Sequence, residues 1–395
     1  MKARSITLLL IAEVAGMSLW FVSAAILPEM IQESAITPSR QAALSSSVQL
    51  GFVAGALISA ILGLADQYDP RRVFAISAVC AALVNAVLLV AEPGGNIAIA
   101  ARFLTGALLA GVYPVGMKIA VGWGDRDRGL LVGSLVGALT LGNALPHLIS
   151  LGGGSDWRFT VIVASIICAL AGVLCLAVQL GPHHGTAARF DPRVITQAWT
   201  NRRVRLAYFG YFGHMWELFS MWAWIGVATA ISYSLTMPEA DALWLAKLTA
   251  FCAIAIGGFA CVPAGYWADR IGKAEVAAIA MIVSSISAIA TAFTFGGPGW
   301  LTFAVVMVWG VSVIPDSAQF SALVADASPP EHAGSLMTFQ TAIGFALTFF
   351  TVQVTPVAAD AFGWPIVIAA MAVGPLLGII AMLQLRAMGP AKSSG

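Results

Sequence analysis

Long apolar runs, each about the length of a membrane crossing, dominate the chain, and its polar residues gather between those runs. At about 1.5 Å of rise per residue, about 20 apolar residues carry a helix across about 30 Å of hydrocarbon. Dividing the chain at its proline, glycine and charge clusters leaves twelve such stretches. They cover 5–27, 41–65, 73–92, 97–122, 129–151, 159–180, 204–234, 242–267, 275–295, 299–325, 334–357 and 363–386. The pattern predicts an all-α membrane protein of twelve transmembrane helices. The longest polar connection, 181–203, contains "HHGTAARFDPRVITQAWTNRR" and reads as a linker with a short surface helix around 192–200. It separates an N-terminal six-helix bundle, 1–180, from a C-terminal one, 204–395.

These two halves echo each other. Glu13, Met17 and Trp20 of "EVAGMSLW" recur 204 residues later as Glu217, Met221 and Trp224 of "ELFSMWAW". Asp66 and Asp269 close the second and eighth stretches, Pro114 and Pro315 sit in the fourth and tenth, and Trp157 and Trp364 precede the sixth and twelfth. A repeat of this kind builds an alternating-access carrier, with its site between the halves.

Composition narrows the reading. The chain is 59% hydrophobic and 10% charged, too few charges to cover a water-soluble globule of 395 residues. Its net charge of +1, with no basic run beyond Arg202, Arg203 and Arg205, gives no reason to expect nucleic acid. The five cysteines lie in apolar stretches without C-x-x-C spacing and read as packed thiols, with neither disulfides nor a metal site. Glu13 interrupts the run where a cleaved signal peptide is most hydrophobic, so the first stretch is expected to remain.

With a cytoplasmic N-terminus, the inside holds Lys2, Arg4, Arg71, Arg72, Arg126, Arg128, Arg189, Arg193, the Arg202–Arg205 cluster, Arg270, Lys273, Arg386 and Lys392. Only Arg40, Arg158 and Lys247 fall outside. This bias predicts both termini in the cytoplasm. No H-E-x-x-H, G-x-S-x-G or phosphate loop is present, so neither a membrane enzyme nor an ATPase is expected.

One motif is more specific. "GYWADRIGK" places Gly265, Asp269, Arg270, Gly272 and Lys273 between the eighth and ninth stretches. Its first-half copy, "LGLADQYDPRR", keeps Asp66 and the pair Arg71 and Arg72, with Leu62, Gln67 and Asp69 replacing two glycines and a basic residue. "RFLTGALLAGVYP", with Arg102, Gly106 and Gly111, and "GALTLGNALPHL", with Gly137, Gly142 and Pro146, are looser matches in the fourth and fifth stretches. On these residues the chain resembles the major facilitator superfamily over essentially its whole length. The resemblance implies a carrier of the bacterial-type inner membrane whose first, fourth, seventh and tenth helices line the central cavity. It also implies a cytoplasmic gate at Asp66, Arg71, Arg72, Asp269, Arg270, Gly272 and Lys273, where an aspartate at a helix end pairs with a neighbouring helix terminus and arginines.

Five charges sit inside stretches, Glu13, Arg102, Lys118, Glu217 and Asp316, all on the four helices that the resemblance assigns to the cavity. Each costs roughly 2.5 kcal/mol or more in hydrocarbon, so it should face a cavity or a partner. Depth pairs Glu13 with Lys118 and leaves Arg102 facing the outer cavity. Glu217 and His214, one turn apart, are expected on the cavity wall, with Glu217 and Asp316 sharing a proton. Glu217, His214, Glu13 and Asp316 are therefore the candidates for proton coupling; fixed salt bridges or hydrogen bonds by which Glu13 and Glu217 hold the halves together are the competing reading. Trp20, Tyr113, Tyr211 and Trp224 are candidates to meet an organic solute, along with Gln49, Asn143, Gln319 and Gln340. Arg102 and Lys118 suit an anionic or zwitterionic group.

The expected function is proton-coupled transport of a small organic solute by a monomer in the lipid bilayer, without cofactor. Its rivals are proton-driven export of lipophilic compounds and exchange or facilitation without protons.

Overall fold

A computed structural model describes residues 1–124, 127–183, 185 and 192–389. Arg126, Arg189 and Lys392 lie outside the described residues, as do the side chains of Asp66 and Arg128. Among the described residues the regular structure is entirely helical. Eleven helical stretches are long and apolar enough to span a bilayer. We number them with their twelfth companion as α1 (Lys2–Glu33), α2 (Pro38–Leu62), α3 (Pro70–Leu89), α4 (Asn96–Val121), α5 (Arg128–Gly153), α6 (Trp157–Cys175), α7 (Arg202–Ser234), α8 (Glu239–Ile271), α9 (Lys273–Thr294), α10 (Gly299–Asp326), α11 (Pro330–Phe362) and α12 (Trp364–Ala387). The twelfth companion, α7, is an unbroken helix of 33 residues whose tyrosines, tryptophans, His214 and Glu217 dilute its apolar character.

Some observed spans run beyond their expected ends, while others stop short, the sixth at Cys175 rather than 180. The first continues to Glu33 rather than stopping at 27, and the eleventh starts at Pro330 rather than 334, because helix propensity carries several crossings past the hydrocarbon. The surface helix expected around 192–200 is a 3₁₀ turn, Pro192–Thr196, followed by Gln197–Thr200. It docks on the second half, burying Val194 and Ala198 with Tyr208, Val324 and Leu336.

Side chains are distributed inside out relative to a water-soluble fold. Leu83, Phe293 and Trp300 are largely exposed, and Asn85, Arg102, Thr140, Glu217 and Ser284 are buried. That pattern suits a hydrocarbon solvent, which rewards an apolar exterior and confines polar groups to sites with partners.

The first and last of the described residues lie at one end of the bundle, here the terminal end. Lys2 is ion-paired with Asp127 at the start of α5, and Arg203 at the start of α7 donates to the Gly389 carbonyl. At the opposite, far end the halves join. Gln32 donates to Glu239, Ser46 to Gln353, and Gln353 to the Ser39 carbonyl. Lys247 adds further links between the halves at this far end, to Glu29 and to the Ser150 and Gly154 carbonyls.

Three spans are broken over three or more residues near mid-depth, and α12 is interrupted at the single residue Ala372. In α4 the break is at 110–112, just before Pro114, and in α10 at 314–316, around Pro315. Each proline lacks the amide that would continue the helix, so the repeated prolines give repeated breaks. The third break, at 18–21 in α1, has no proline. Ser18 Oγ turns back onto the Ala15 carbonyl at 2.7 Å, a local bond that competes with the helical ladder. The corresponding part of α7 is continuous.

Candidate functional site

The break in α1 leaves backbone carbonyls to be satisfied inside the bundle, and Arg102 satisfies them. Its Nη2 donates to the carbonyls of Leu19 at 2.8 Å and Trp20 at 2.7 Å, while Nη1 donates to Asn85 Oδ1 at 2.8 Å. Asn85 in turn donates to Ser165 Oγ at 3.0 Å, tying α3, α4 and α6 to the α1 break. Arg102 is fully buried and does not face the outer cavity expected of it. Its position in the second half, 204 residues later, is Val306, and there α7 has no break to cap.

Glu13 is fully buried, and neither carboxyl oxygen has a hydrogen-bond partner among the described residues, so the expected pair with Lys118 is not formed. Its carboxyl instead fills the space beside Gly116, where a Cβ would collide with Oε2. Lys118 is half-buried on the last turn of the same helix segment.

Glu217 occupies the related position in the second half, and it too points into its own half rather than onto an open cavity wall. Ser284 Oγ of α9 donates to Oε2 at 2.8 Å, and Trp309 Nε1 of α10 donates to Oε1, also at 2.8 Å. One turn earlier His214 Nδ1 lies 2.9 Å from Asp316 Oδ1, at ion-pair distance but outside hydrogen-bond alignment. His214 Nε2 has no partner among the described residues. The structure thus pairs Asp316 with His214, where a Glu217–Asp316 pair sharing a proton had been expected. All three groups are buried in the second half beside the α10 break, and no lysine or arginine among the described residues is ion-paired with any of them.

Aromatic rings bridge the halves at mid-depth. Trp20 packs on Phe52, Phe219 and Phe345, with ring centroids 4.9, 5.7 and 5.6 Å apart, and Phe21 meets Trp222 edge-on. Trp224, the repeat partner of Trp20, stays within its own half, donating to the Val352 carbonyl at 3.1 Å and packing against Trp364. Tyr211 is buried against Gly344 and 6.1 Å from the His214 ring, and Tyr113 is half-buried just past the α4 break. Gln340 is buried with both amide atoms unpartnered, Gln319 is buried near Asp316, and the Gln49 amide nitrogen is placed to donate to the Ser45 and Ser46 carbonyls.

The described residues of the loop motifs lie at the terminal end. Asp69 caps α3, accepting from the Arg71 amide at 3.0 Å and from Arg71 Nη2 at 2.7 Å. The Arg71 guanidinium holds the Asp69 carboxyl below the usual carboxylate range. Arg72 is exposed. Arg270 lies over the Tyr266 ring at 4.0 Å, Gly272 takes φ +109° in the α8–α9 turn, and Lys273 is ion-paired with Asp326. Asp269 is exposed, with no ion pair among the described residues.

One cluster was not foreseen. Glu29 on α1 and Lys247 on α8 form an ion pair that crosses between the halves and is almost completely buried. Lys247 Nζ also donates to the carbonyls of Ser150 at 3.1 Å and Gly154 at 2.9 Å, at the far end of α5. Sequence depth alone had put Lys247 outside, and a signal existed in the acid and base that sit near the expected far ends of α1 and α8.

A family model of the Major Facilitator Superfamily matches residues 8–352. The chain belongs to the major facilitator superfamily. Two solved transporters share the fold. A variant of the nucleoside transporter NupG aligns with TM-score 0.73 and 13% identity, covering 96% of this chain and 99% of that one. A bacterial homologue of the human lysosomal transporter Spinster, inward-facing and occupied, aligns with TM-score 0.76 and 10% identity, covering 98% and 97%. No protein of curated function matches the chain in sequence. Superfamily membership and fold make this an integral membrane transporter; at these identities the two neighbours speak to its fold alone.

Proposed function

We propose that the chain moves a small organic solute across the membrane by alternating access, coupled to protons through Glu217, with His214 and Asp316 beside it. The observation that carries this is the environment of Glu217. Trp309 Nε1 can only donate, so it suits an acceptor oxygen whether the carboxyl is ionised or not. Ser284 can serve both states. It donates to an ionised Glu217, or it accepts from a protonated one while its own hydroxyl turns to the Met281 carbonyl 3.2 Å away. A buried carboxyl whose partners suit both states, with no cation locking it, can take up and release a proton without repacking its neighbours. The competing reading is fixed salt bridges or hydrogen bonds that hold the halves together; a salt bridge would call for a lysine or arginine partner, and the Ser284 and Trp309 bonds stay within the second half.

Alternating access is supported by the linkage of the halves at the far end, and we read the terminal end as the side that opens in this state. We place both termini in the cytoplasm from the positive-charge bias. A monomer of two six-helix units, divided at 181–203, completes the reading. Arg102 is committed to the α1 carbonyls, so an anionic group would depend on Lys118 alone. The reading therefore moves from an anionic solute toward one recognised through planar or apolar faces by Tyr113, Tyr211 and the Trp20 cluster.

The test is internal pH in proteoliposomes challenged with nucleosides, amino acids, organic acids and lipophilic cations. A solute that drives proton movement supports the proposal. Solute movement that leaves internal pH unchanged overturns the coupling.

A further inference from the structure

A crevice of about 670 Å³ lies between α1, α5 and α8 on the terminal side of mid-depth, with walls that include Ile11, Val14, Gly133, Gly137, Phe259 and Val262. It opens away from the centre of the bundle. On α8 the central face carries Gly257, packed on the Gly310 backbone of α10, and, one turn on, the buried Cys261. Phe259 and Val262 stand on the other side of that helix, largely exposed. On α1, Glu13 points inward, and Ile11 is half exposed on the opposite face. An apolar opening on this side meets lipid tails.

The crevice exists because side chains are missing from it. Gly137 and Gly258 let α5 and α8 touch, each Cβ position lying just over 3 Å from the other glycine's carbonyl oxygen, while the Cβ position of Gly133 has nothing within 4 Å. From Gly133 to Leu145 it follows α5 for about 18 Å at ~1.5 Å per residue. That is close to one leaflet of a hydrocarbon core about 30 Å thick.

Its terminal end is framed by positive charge. Arg4 lies two turns from Ile11 on the same face of α1, exposed and without an ion pair among the described residues. Arg270 ends the stripe of α8 that carries Phe259 and Val262, and its guanidinium is spread over Tyr266. Both stand at headgroup depth beside an apolar slot one leaflet long.

We propose that this crevice holds an acyl chain of an anionic phospholipid whose phosphate is met by Arg4 and Arg270. The slot supplies apolar contact along the chain, and the two arginines supply the selectivity for negative charge. Because the crevice joins α1 and α5 of one half to α8 of the other, a lipid seated there touches both moving parts.

The test uses the full-length protein in phosphatidylcholine nanodiscs containing a trace of phosphatidylglycerol with a diazirine in its acyl chain. After illumination, adducts are mapped by peptide mass spectrometry. Adducts should concentrate on the segments holding Gly133–Leu145 and Gly258–Pro263, and Gly133→Leu, which fills open space, should remove most of them. Replacing Arg4 and Arg270 with glutamine should cut the preference for phosphatidylglycerol over a matching phosphatidylcholine probe by about fivefold per arginine. Adducts spread evenly over the lipid-facing helices would overturn the proposal. So would equal labelling by both probes in wild type, or unchanged labelling in a Gly133→Leu protein that keeps its thermal midpoint. Displacement of the adduct by tetraphenylphosphonium without headgroup preference would overturn it in favour of a portal for lipophilic solutes.

Discussion

At the scale of single residues, Arg102 has no basic counterpart in the second half, where Val306 stands 204 residues later. Arg102 is a structural cap whose three donated hydrogen bonds hold an irregular stretch of α1 in the bundle core. Arg102→Met orphans those acceptors at about 1–3 kcal/mol each, and should lower the thermal midpoint in detergent well below that of wild type. Arg102→Lys should rescue little, because one ammonium cannot reproduce the guanidinium fork. A midpoint unchanged in Arg102→Met would contradict this assignment. Asp69 gives a pH dependence. Its folded carboxyl is depressed by Arg71, so its contribution to the α3 cap is present at neutral pH, persists below the usual carboxylate range and is lost only as pH falls through the depressed value. Titration of wild type against Asp69→Asn, read by amide exchange in the first turn of α3, should show protection lost at lower pH than for a free aspartate. The sequence made both acids and Arg102 visible as anomalies in apolar stretches. It could not assign their partners, because Ser284, Trp309 and Asn85 are unremarkable residues on helices far along the chain.

At the scale of elements, the spans were legible because a bilayer demands about 20 apolar residues of each crossing, whatever they pack against. The breaks in α4 and α10 were foreshadowed by Pro114 and Pro315. The break in α1 was not, since Ser18–Phe21 carries no residue that forbids a helix and the deciding partner, Arg102, lies on another span. The Glu29–Lys247 pair gives the relation of α1 to α8 a measurable energy. Lys247→Met leaves Glu29 buried and unpaired at a cost of about 3–5 kcal/mol, borne only while the far end is closed. The far end should therefore open more often. A cysteine at Ser46, which is buried at that end, should react faster with an impermeant maleimide in Lys247→Met than in wild type. Combining Glu29→Gln with Lys247→Met should return the rate toward the wild-type value. Equal rates in all three proteins would show that the pair does not hold the far end.

At the scale of the whole molecule, two halves of common design are joined at the far end by an ion pair and hydrogen bonds and at mid-depth by aromatic packing, and Glu13 and Glu217 are buried at matching positions on their first helices. The acids differ where it matters for function. Glu13 has no hydrogen-bond partner among the described residues, whereas Glu217 has two whose chemistry suits both of its protonation states. In the function proposed above, the second-half acid is the proton carrier. The most direct measurement compares wild type with Glu217→Gln, using the solute found in the internal-pH assay. One experiment follows exchange of labelled solute across proteoliposomes at equal pH, and the other follows its accumulation under a pH gradient. The account predicts that Glu217→Gln keeps exchange, which needs only the movement of the halves, and loses accumulation, which needs the proton. Accumulation in Glu217→Gln equal to wild type would contradict it.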